Sequence, residues 1–348
     1  MNQSTPINDP QNMAGYIRAL PDDLEAAWKK GFEFDLPSYP TIHRILVCGM
    51  GGSAIGGDLL GSYLCDLMPV PVSSWRNYGL PAWANGQDCL VICSSHSGNT
   101  EETLDAFETA LARGCSIAAI STGGKLEDLA KSAGVTHWRF NHDGQPRTAV
   151  AWSFALLLAL LQRLGLLTSQ DQAISSAASV MRSQQIDLEP HVPLTQNPAR
   201  RLAGQLLNRN VVIFGAGSLE VVARRWKTQI NELAKAWASF EAIPEMNHNT
   251  LAGLLFPDSL FEKTTAIFLQ APMDHPRNQE RIALSKQFFL QAGIAVDAVE
   301  AKGEERLSEM FSLLQFGDYV AYYLAAAYGI DPTPVDILTA LKEALKNP

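Results

Sequence analysis

The sequence has few cysteines, and it lacks the patterns that mark a secreted or disulfide-linked protein. It contains 5 cysteines, all in the first third of the chain, and none of them forms a Cys-x-x-Cys pair. An odd number without paired spacing argues against a disulfide framework, so we expect reduced thiols in the core of a cytoplasmic protein. The polar segment from Met1 to Pro10 resembles neither a signal peptide nor a transit peptide.

Basic clusters, long apolar runs and metal-binding motifs are also missing. The chain has 27 Lys and Arg against 36 Asp and Glu, a formal net charge of −9, and therefore no nucleic-acid partner is expected. The longest apolar stretch, Thr148 to Leu161, is too short to span a bilayer and predicts a buried helix. The 7 histidines form no His-x-His or His-Glu-x-x-His pattern. The sequence predicts neither a metal nor a cofactor.

Short apolar runs alternate with amphipathic runs along most of the 348 residues. This alternation of strands and helices is typical of an α/β fold with a mostly parallel sheet and helices on both faces. A strand, a glycine-rich turn and a helix begin at Ile45 and again at Asn210. Two unrelated strand-to-helix turns would also contain glycines, but the matching order of elements favours two similar domains.

The boundary between the predicted domains falls in a stretch that is rich in proline. Residues 185–198 contain 3 prolines and little apolar periodicity, which is typical of a linker. We therefore predict an N-terminal extension over 1–40, a first domain over 41–184, a linker over 185–198 and a second domain over 199–348.

Hydroxyl side chains crowd the predicted turn between a buried strand and a helix, from Ser94 to Thr103. A helix N-terminus offers free N–H groups and the positive end of the helix dipole, so phosphate binds there without a lysine. Thr100 is also a candidate N-cap, but a cap needs a single hydroxyl. Ser95, Ser97 and Thr100 together around Gly98 predict an anion site.

The first glycine-rich turn also matches a dinucleotide-binding pattern, so a dehydrogenase is an alternative. Gly49 to Ala54 reads G-x-G-x-x-A after a predicted strand. A dinucleotide site then needs an acidic residue at the end of the next strand, and Ser73 to Asn77 contains none. The serine-rich turn has no role in such a site. Both turns instead fit one small phosphorylated ligand.

Further segments narrow the interpretation to one family. The two turns resemble the ligand-binding turns of sugar isomerase (SIS) domains. The segments Asn231–Lys235, Glu245–Asn249 and Asp331–Val335 are similar to those of the bifunctional phosphoglucose/phosphomannose isomerase family. The resemblance implies two similar SIS domains, each a parallel sheet flanked by helices in a flavodoxin-like three-layer sandwich. It also implies an aldose–ketose isomerase that converts glucose 6-phosphate and mannose 6-phosphate to and from fructose 6-phosphate without a metal.

The resemblance implies roles for two residues of the second domain. Glu232 is the base that moves a proton between C2 and C1 of the open-chain sugar through a cis-enediol; a surface Glu near a helix end is the plainer interpretation. His248 opens the sugar ring and is donated to the site of a neighbouring subunit, so a homodimer is implied. Flanking amides are expected to orient its ring. Thr250 stands where the family has an acidic residue.

The remaining site residues also follow from the resemblance. Arg147 stabilises the enediolate, while Lys342 and Thr333 contact the sugar. His96 lines the phosphate turn. The implied phosphate ligands are Gly51, Gly52, Ser53, Ser95, Ser97 and Thr100, with glycine, including Gly98, allowing the backbone to approach the phosphate closely.

Two other functions are compatible with SIS domains. A non-catalytic sugar-phosphate-binding protein would more often carry a DNA-binding helix-turn-helix, and it could dispense with Glu232. An aminosugar-phosphate isomerase normally carries a glutaminase domain. The sequence favours the metal-free isomerase because neither additional module is recognisable in it.

Overall fold

A computed structural model describes residues 7–346, which form two compact units. One unit comprises residues 19–180 and 305–308, and the other comprises residues 7–18, 181–304 and 309–346. Each contains one parallel sheet, and we call them the five-stranded unit and the four-stranded unit. No helix within residues 7–346 is long and apolar enough to cross a bilayer.

Residues 7–185 contain five strands and six helices. The strands are β1 (Arg44–Cys48), β2 (Val72–Trp75), β3 (Cys89–Ser95), β4 (Ser116–Ser121) and β5 (Thr136–Arg139). The helices are α1 (Met13–Glu33), α2 (Gly51–Leu64), α3 (Glu101–Ala112), α4 (Lys125–Ala133), α5 (Val150–Arg163) and α6 (Asp171–Gln185), and a short 3-10 turn covers Pro146–Thr148.

The second part repeats the alternation. Its strands are β6 (Asn210–Ala216), β7 (Ala238–Ile243), β8 (Thr264–Gln270) and β9 (Ala295–Glu300). Its helices are α7 (Pro198–Gln205), α8 (Leu219–Leu233), α9 (Asp258–Phe261), α10 (Pro276–Gln291), α11 (Arg306–Tyr328) and α12 (Asp336–Lys346), with 3-10 turns at Glu245–His248 and Thr250–Gly253.

The two sheets share the order of their first four strands. The orders are β2-β1-β3-β4-β5 and β7-β6-β8-β9, and all pairs are parallel. In each sheet the second and third strands lie on opposite sides of the first. This reversal creates a crevice at the carboxyl ends of β1 and β3, and another at those of β6 and β8. The predicted α/β class with two similar sheets is confirmed.

Burial explains why the central elements read as continuous apolar runs. Every residue of β3 is buried, as expected of a parallel strand covered on both faces. The buried helix predicted over Thr148 to Leu161 is confirmed as α5, in which residues 150–161 are buried apart from Trp152.

The cysteines are all free, and their surroundings differ. Cys48, Cys89 and Cys93 are buried, and burial raises the pKa of the Cys48 thiol to about 12. Cys65 is exposed, so the expectation of a core cysteine is wrong at this position. The reason is local, because Cys65 follows the last residue of α2 and begins a surface loop.

A buried ion pair joins α8 to α11. The Arg225 guanidinium donates to both carboxylate oxygens of Asp318 at 3.2 and 2.9 Å, and the two residues are only 1% and 4% exposed. The neighbouring Arg224 instead lies over the ring of Phe240, 5.1 Å from its centroid. Adjacent arginines of one helix therefore stabilise the unit in different ways.

Asp274 lies in the loop after β8, at the crevice of the four-stranded unit. It is 9% exposed, and a Cβ placed on Gly217 would lie 3.6 Å from its Oδ1. The Glu309 carboxylate, which accepts a hydrogen bond from the Met273 N–H at 3.0 Å, faces the same loop. Burial, together with the charge of Glu309, raises the pKa of Asp274 to about 6.

Replacing Arg225 by Met should lower the free energy of unfolding by roughly 3 kcal/mol or more, because the Asp318 carboxylate then stays buried without its counter-charge. Arg224→Met is the matched control, and a cation–π contact of this kind contributes about 1 kcal/mol. Urea unfolding of both variants tests the difference. Equal losses of unfolding free energy in the two variants would show that the buried ion pair contributes no more to stability than the cation–π contact.

Asp274→Asn should stabilise the protein at pH 8 and lose this advantage toward pH 4. The folded protein retains the Asp274 proton to a higher pH than the unfolded chain, so wild-type stability falls as the pH rises through the window from 3.8 to about 6. The expected gain at pH 8 is on the order of 1–3 kcal/mol. Thermal unfolding across this range measures it, and a difference that does not vary with pH would contradict the assignment.

Candidate functional site

The two predicted phosphate turns lie side by side, at the carboxyl ends of the neighbouring strands β1 and β3. The helices α2 and α3 begin at Gly51 and Glu101, directly after these turns. Within the described residues, no side chain at the cap positions, Met50 and Thr100, caps these helices. The third N–H of each helix, from Ser53 and Thr103, bonds to the carbonyl of the cap residue at 3.1 Å. The N–H groups before it have no preceding turn of helix to accept their bonds, an arrangement that favours anion binding.

The hydroxyls of the second turn form a local cluster. Ser95 Oγ lies 2.8 Å from Thr100 Oγ1 and accepts a hydrogen bond from the Gly98 N–H at 3.1 Å. The exposed Ser97 accepts from the Asn99 N–H at 3.2 Å through its Oγ. Thr100 thus directs its hydroxyl toward Ser95 rather than toward the helix, which argues against a plain N-cap.

A hydrogen bond also connects the two turns. Ser53 is 4% exposed, and its Oγ accepts from the His96 N–H at 3.1 Å. The predicted phosphate ligands of α2 are thereby held against those that precede α3. The structure brings this whole group together within the five-stranded unit.

Two of the three glycines also allow close packing within the protein. A Cβ on Gly52 would lie 2.4 Å from the Pro146 carbonyl oxygen, and a Cβ on Gly98 would lie 1.7 Å from that of Gly123. Their expected role in admitting a phosphate stays a prediction. Gly51, with a φ of 51°, has open space at the corresponding position.

Arg147 lies beside the N-terminus of α2. It belongs to the 3-10 turn at Pro146–Thr148 and is 3% exposed. Its Cα would be 3.4 Å from a Cβ on Gly52. An arginine side chain is positively charged in proteins, so the segment that packs on the N-terminus of α2 carries a buried cation.

His96 and His142 form a neutral pair next to the turn. His96 Nε2 lies 3.0 Å from His142 Nδ1, and His142 Nε2 lies 3.4 Å from the hydroxyl of Thr148. Burial, and then the nearby His142, lower the pKa of His96 to about 4. At neutral pH His96 therefore lines the turn without adding a charge, and sequence reasoning missed its partner His142.

Glu232 lies at the end of α8 in the four-stranded unit and is half-buried. It faces a cavity of about 730 Å³, a size that is ordinary for a small-ligand site. The cavity is lined by Lys227, Thr228, Asn231, Glu232, Lys235, Ile330, Asp331, Pro334, Val335, Asp336, Ile337 and Leu338. A carboxylate in such a wall can act as a general base.

Three basic residues precede Glu232 on α8, and their surroundings differ. Arg225 is paired with Asp318 and Arg224 lies over an aromatic ring, so Lys227 is the basic residue of this stretch that reaches the cavity. The Asn231 side chain donates to the Ala236 carbonyl at 2.8 Å and so shapes the end of the helix.

His248 ends the 3-10 turn after β7, and it is exposed. The expectation that the flanking amides orient its ring is wrong. Asn247 donates to Ser285 Oγ at 2.8 Å, and Asn249 donates to the Glu245 carboxylate at 2.8 Å. Both amide groups thus donate to other side chains rather than to the imidazole.

The two residues expected to contact the sugar lie in the C-terminal segment. Thr333 is 3% exposed and follows the cavity residue Asp331, whose Oδ1 accepts the Thr333 N–H at 2.8 Å. Lys342 is exposed on α12, one turn beyond the cavity residue Leu338. Their contacts with a sugar stay predictions.

Sequence reasoning also missed the part played by Lys235, which bonds to four backbone carbonyls at the same cavity. This role could not be recognised from the position of Lys235 after a helix, because two of these carbonyls belong to residues almost a hundred positions away. Across residues 7–346, no group of three or more His, Cys, Asp and Glu side chains is placed to hold a metal ion.

Comparisons with known proteins agree with the resemblance. The family model described as bacterial phospho-glucose isomerase C-terminal SIS domain matches residues 195–345. The protein named bifunctional phosphoglucose/phosphomannose isomerase from Caldicellulosiruptor bescii is 38% identical over 328 residues, covering 94% of this chain and 96% of that protein. A protein of the same name from Thermoplasma acidophilum is 32% identical, with coverage of 88% and 90%.

Among solved structures, tagatose-6-phosphate ketose/aldose isomerase from Escherichia coli has a TM-score of 0.70 at 18% identity, with coverage of 93% of this chain and 96% of that one. This likeness concerns the fold alone. The two bifunctional isomerases are more than 30% identical to this chain along most of its length, and such identity establishes the family. The chain belongs to the bifunctional phosphoglucose/phosphomannose isomerase family.

Proposed function

We propose that this protein is an aldose–ketose isomerase that interconverts glucose 6-phosphate and mannose 6-phosphate with fructose 6-phosphate. In the proposed form it is a cytoplasmic homodimer and transfers protons without a metal. The observation that carries the proposal is the half-buried Glu232 in the wall of a cavity, in a chain that also gathers hydroxyl groups at the start of two helices. An anion site alone would serve equally well in a non-catalytic protein.

The five-stranded unit is proposed to hold the substrate phosphate. The uncapped ends of α2 and α3 supply N–H groups, and the hydroxyls supply further hydrogen bonds. The proposed phosphate ligands are Gly51, Gly52, Ser53, Ser95, Ser97 and Thr100. Arg147 adds a fixed positive charge, which in the proposal stabilises the enediolate.

The chemistry requires one proton to move between two carbons. In the aldose-to-ketose direction Glu232 takes the proton from C2, and the electron pair of that C–H bond forms the C1=C2 bond of an enediolate. The former carbonyl oxygen O1 takes the negative charge, and the proton of the C2 hydroxyl then passes to O1. The C2=O bond of the ketose forms as the electron pair of the C1=C2 bond takes the proton at C1. Glucose and mannose differ only at C2, which is planar in the enediolate. One intermediate therefore serves both sugars, and Thr333 and Lys342 are proposed to contact their hydroxyls.

His248 is proposed to open the sugar ring in the site of a neighbouring subunit. It is exposed and does not belong to the wall that contains Glu232. Large apolar residues that follow it are also exposed, with Leu255 at 69% and Phe256 at 83%. Two adjacent apolar side chains that are exposed in one chain would be covered by a contact with a second copy.

Glu232→Gln should lower kcat for fructose 6-phosphate by about 10²- to 10⁴-fold, because the amide cannot accept the proton. KM should change little, since the proposed phosphate ligands are intact. Glu220→Gln, at the other end of the same helix, is the matched control and should stay active. Both aldose products are quantified after treatment of the enzyme with a chelator.

A wild-type protein that binds fructose 6-phosphate but forms neither aldose would indicate the non-catalytic alternative. Turnover of glucosamine 6-phosphate alone would indicate the aminosugar alternative. Near-normal activity of Glu232→Gln would show that another group is the base.

Mixing inactive Glu232→Gln and His248→Ala proteins should restore partial activity. In a mixed dimer that shares residues between subunits, one site holds both substitutions and the other holds neither. Mass-labelled subunits establish that exchange has taken place. Mixed dimers without activity would place His248 and Glu232 of one chain in the same site.

A further inference from the structure

Lys235 occupies an unusual backbone conformation at the end of α8. Its φ is 52°, in the left-handed region that glycine adopts readily and other residues rarely do. A residue persists in such a conformation only where its surroundings hold it there, and functional sites are enriched in these cases. The position itself is ordinary for a helix end, but glycine is the usual occupant.

The ammonium group of Lys235 explains why a lysine is present. Its Nζ lies 2.9 and 3.2 Å from the carbonyl oxygens of Glu232 and Leu233, and 3.1 and 3.0 Å from those of Asp331 and Pro332. The first two are end carbonyls of α8, which lack partners within the helix and favour a cation. The other two belong to the segment that leads to α12.

These four contacts join two walls of the same cavity. Glu232 lines the cavity from α8, and Asp331, Pro334 and Val335 line it from the segment that leads into α12. An ammonium group has three N–H donors, so its bonds are shared among carbonyls that must stay close together. Removing the ammonium group would therefore remove contacts that tie the backbone of Glu232 and Leu233 to that of Asp331 and Pro332.

We propose that Lys235 is a positioning residue, whose ammonium group fixes the segment Asp331–Val335 against the helix end that carries Glu232. It thereby sets the distance between the proton-transferring carboxylate and the wall next to the sugar. The inference rests on the proposed isomerase function for its catalytic consequence, whereas the backbone contacts stand independently of it.

Lys235→Gly separates the ammonium group from the backbone conformation. Glycine accepts the left-handed φ without strain, so a purely conformational role predicts undiminished activity. We call the four bonds from the Lys235 ammonium group to backbone carbonyls the clamp. Loss of the clamp should instead lower kcat about tenfold to a hundredfold, because displacement of a cavity wall by about 1 Å disturbs proton transfer. KM should stay within about threefold of the wild-type value, as expected when ground-state binding is retained. Added ethylammonium should restore part of kcat, and Lys235→Arg should retain more activity than Lys235→Gly.

Amide hydrogen exchange without substrate tests the clamp itself. The Thr333 and Val335 amides should exchange faster in Lys235→Gly than in the wild type. Lys227→Met is the control, since Lys227 faces the same cavity and should leave this exchange unchanged. A wild-type protein without isomerase activity would overturn the proposed function. The amide exchange rates of Thr333 and Val335 would then test the clamp on their own. An active wild type together with unchanged kcat and exchange in Lys235→Gly would overturn the inference.

Discussion

The hydrogen bond of 3.1 Å from the His96 N–H to Ser53 Oγ joins the two turns on which the candidate site depends. It can form because β1 and β3 are parallel neighbours, so the helices that follow them begin at the same edge of the sheet. A Cβ on Gly49 would lie 2.6 Å from the Ser94 carbonyl oxygen, so only glycine allows this approach. Any strand order that separated β1 from β3 would leave two unrelated helix starts.

The two units have the same strand order but different chemistry at the corresponding crevice. In the five-stranded unit, hydroxyls and uncapped N–H groups favour an anion. In the four-stranded unit, the buried Asp274 lies at that position, next to Gly217, and a phosphate would meet a carboxyl group there. The repeated fold thus allows one unit to specialise in binding phosphate, while the other presents Glu232 from the far end of α8.

Local patterns predicted much of this arrangement. Apolar runs gave the parallel strands, and the crowded hydroxyls indicated the anion site, because both signals lie within a few neighbouring residues. Cys65 was misplaced for a local reason, since it lies just beyond the end of a helix. Other partners could not be predicted because they are distant in sequence. Asn247 bonds to Ser285 and Gly98 packs on Gly123, and no local pattern indicates such contacts. Lys235 could not be predicted for two reasons. Its positive φ cannot be recognised from the sequence, and its bonds to Asp331 and Pro332 join residues that are far apart in the chain.

The central claim is that a carboxylate moves a proton between C1 and C2 of a sugar 6-phosphate. The most direct test incubates the protein with fructose 6-phosphate in deuterated water and follows the C2 position of the products by NMR. We expect deuterium at C2 of both glucose 6-phosphate and mannose 6-phosphate, because a proton held by Glu232 exchanges with solvent. Both products formed without deuterium would indicate a direct hydride shift and contradict the account.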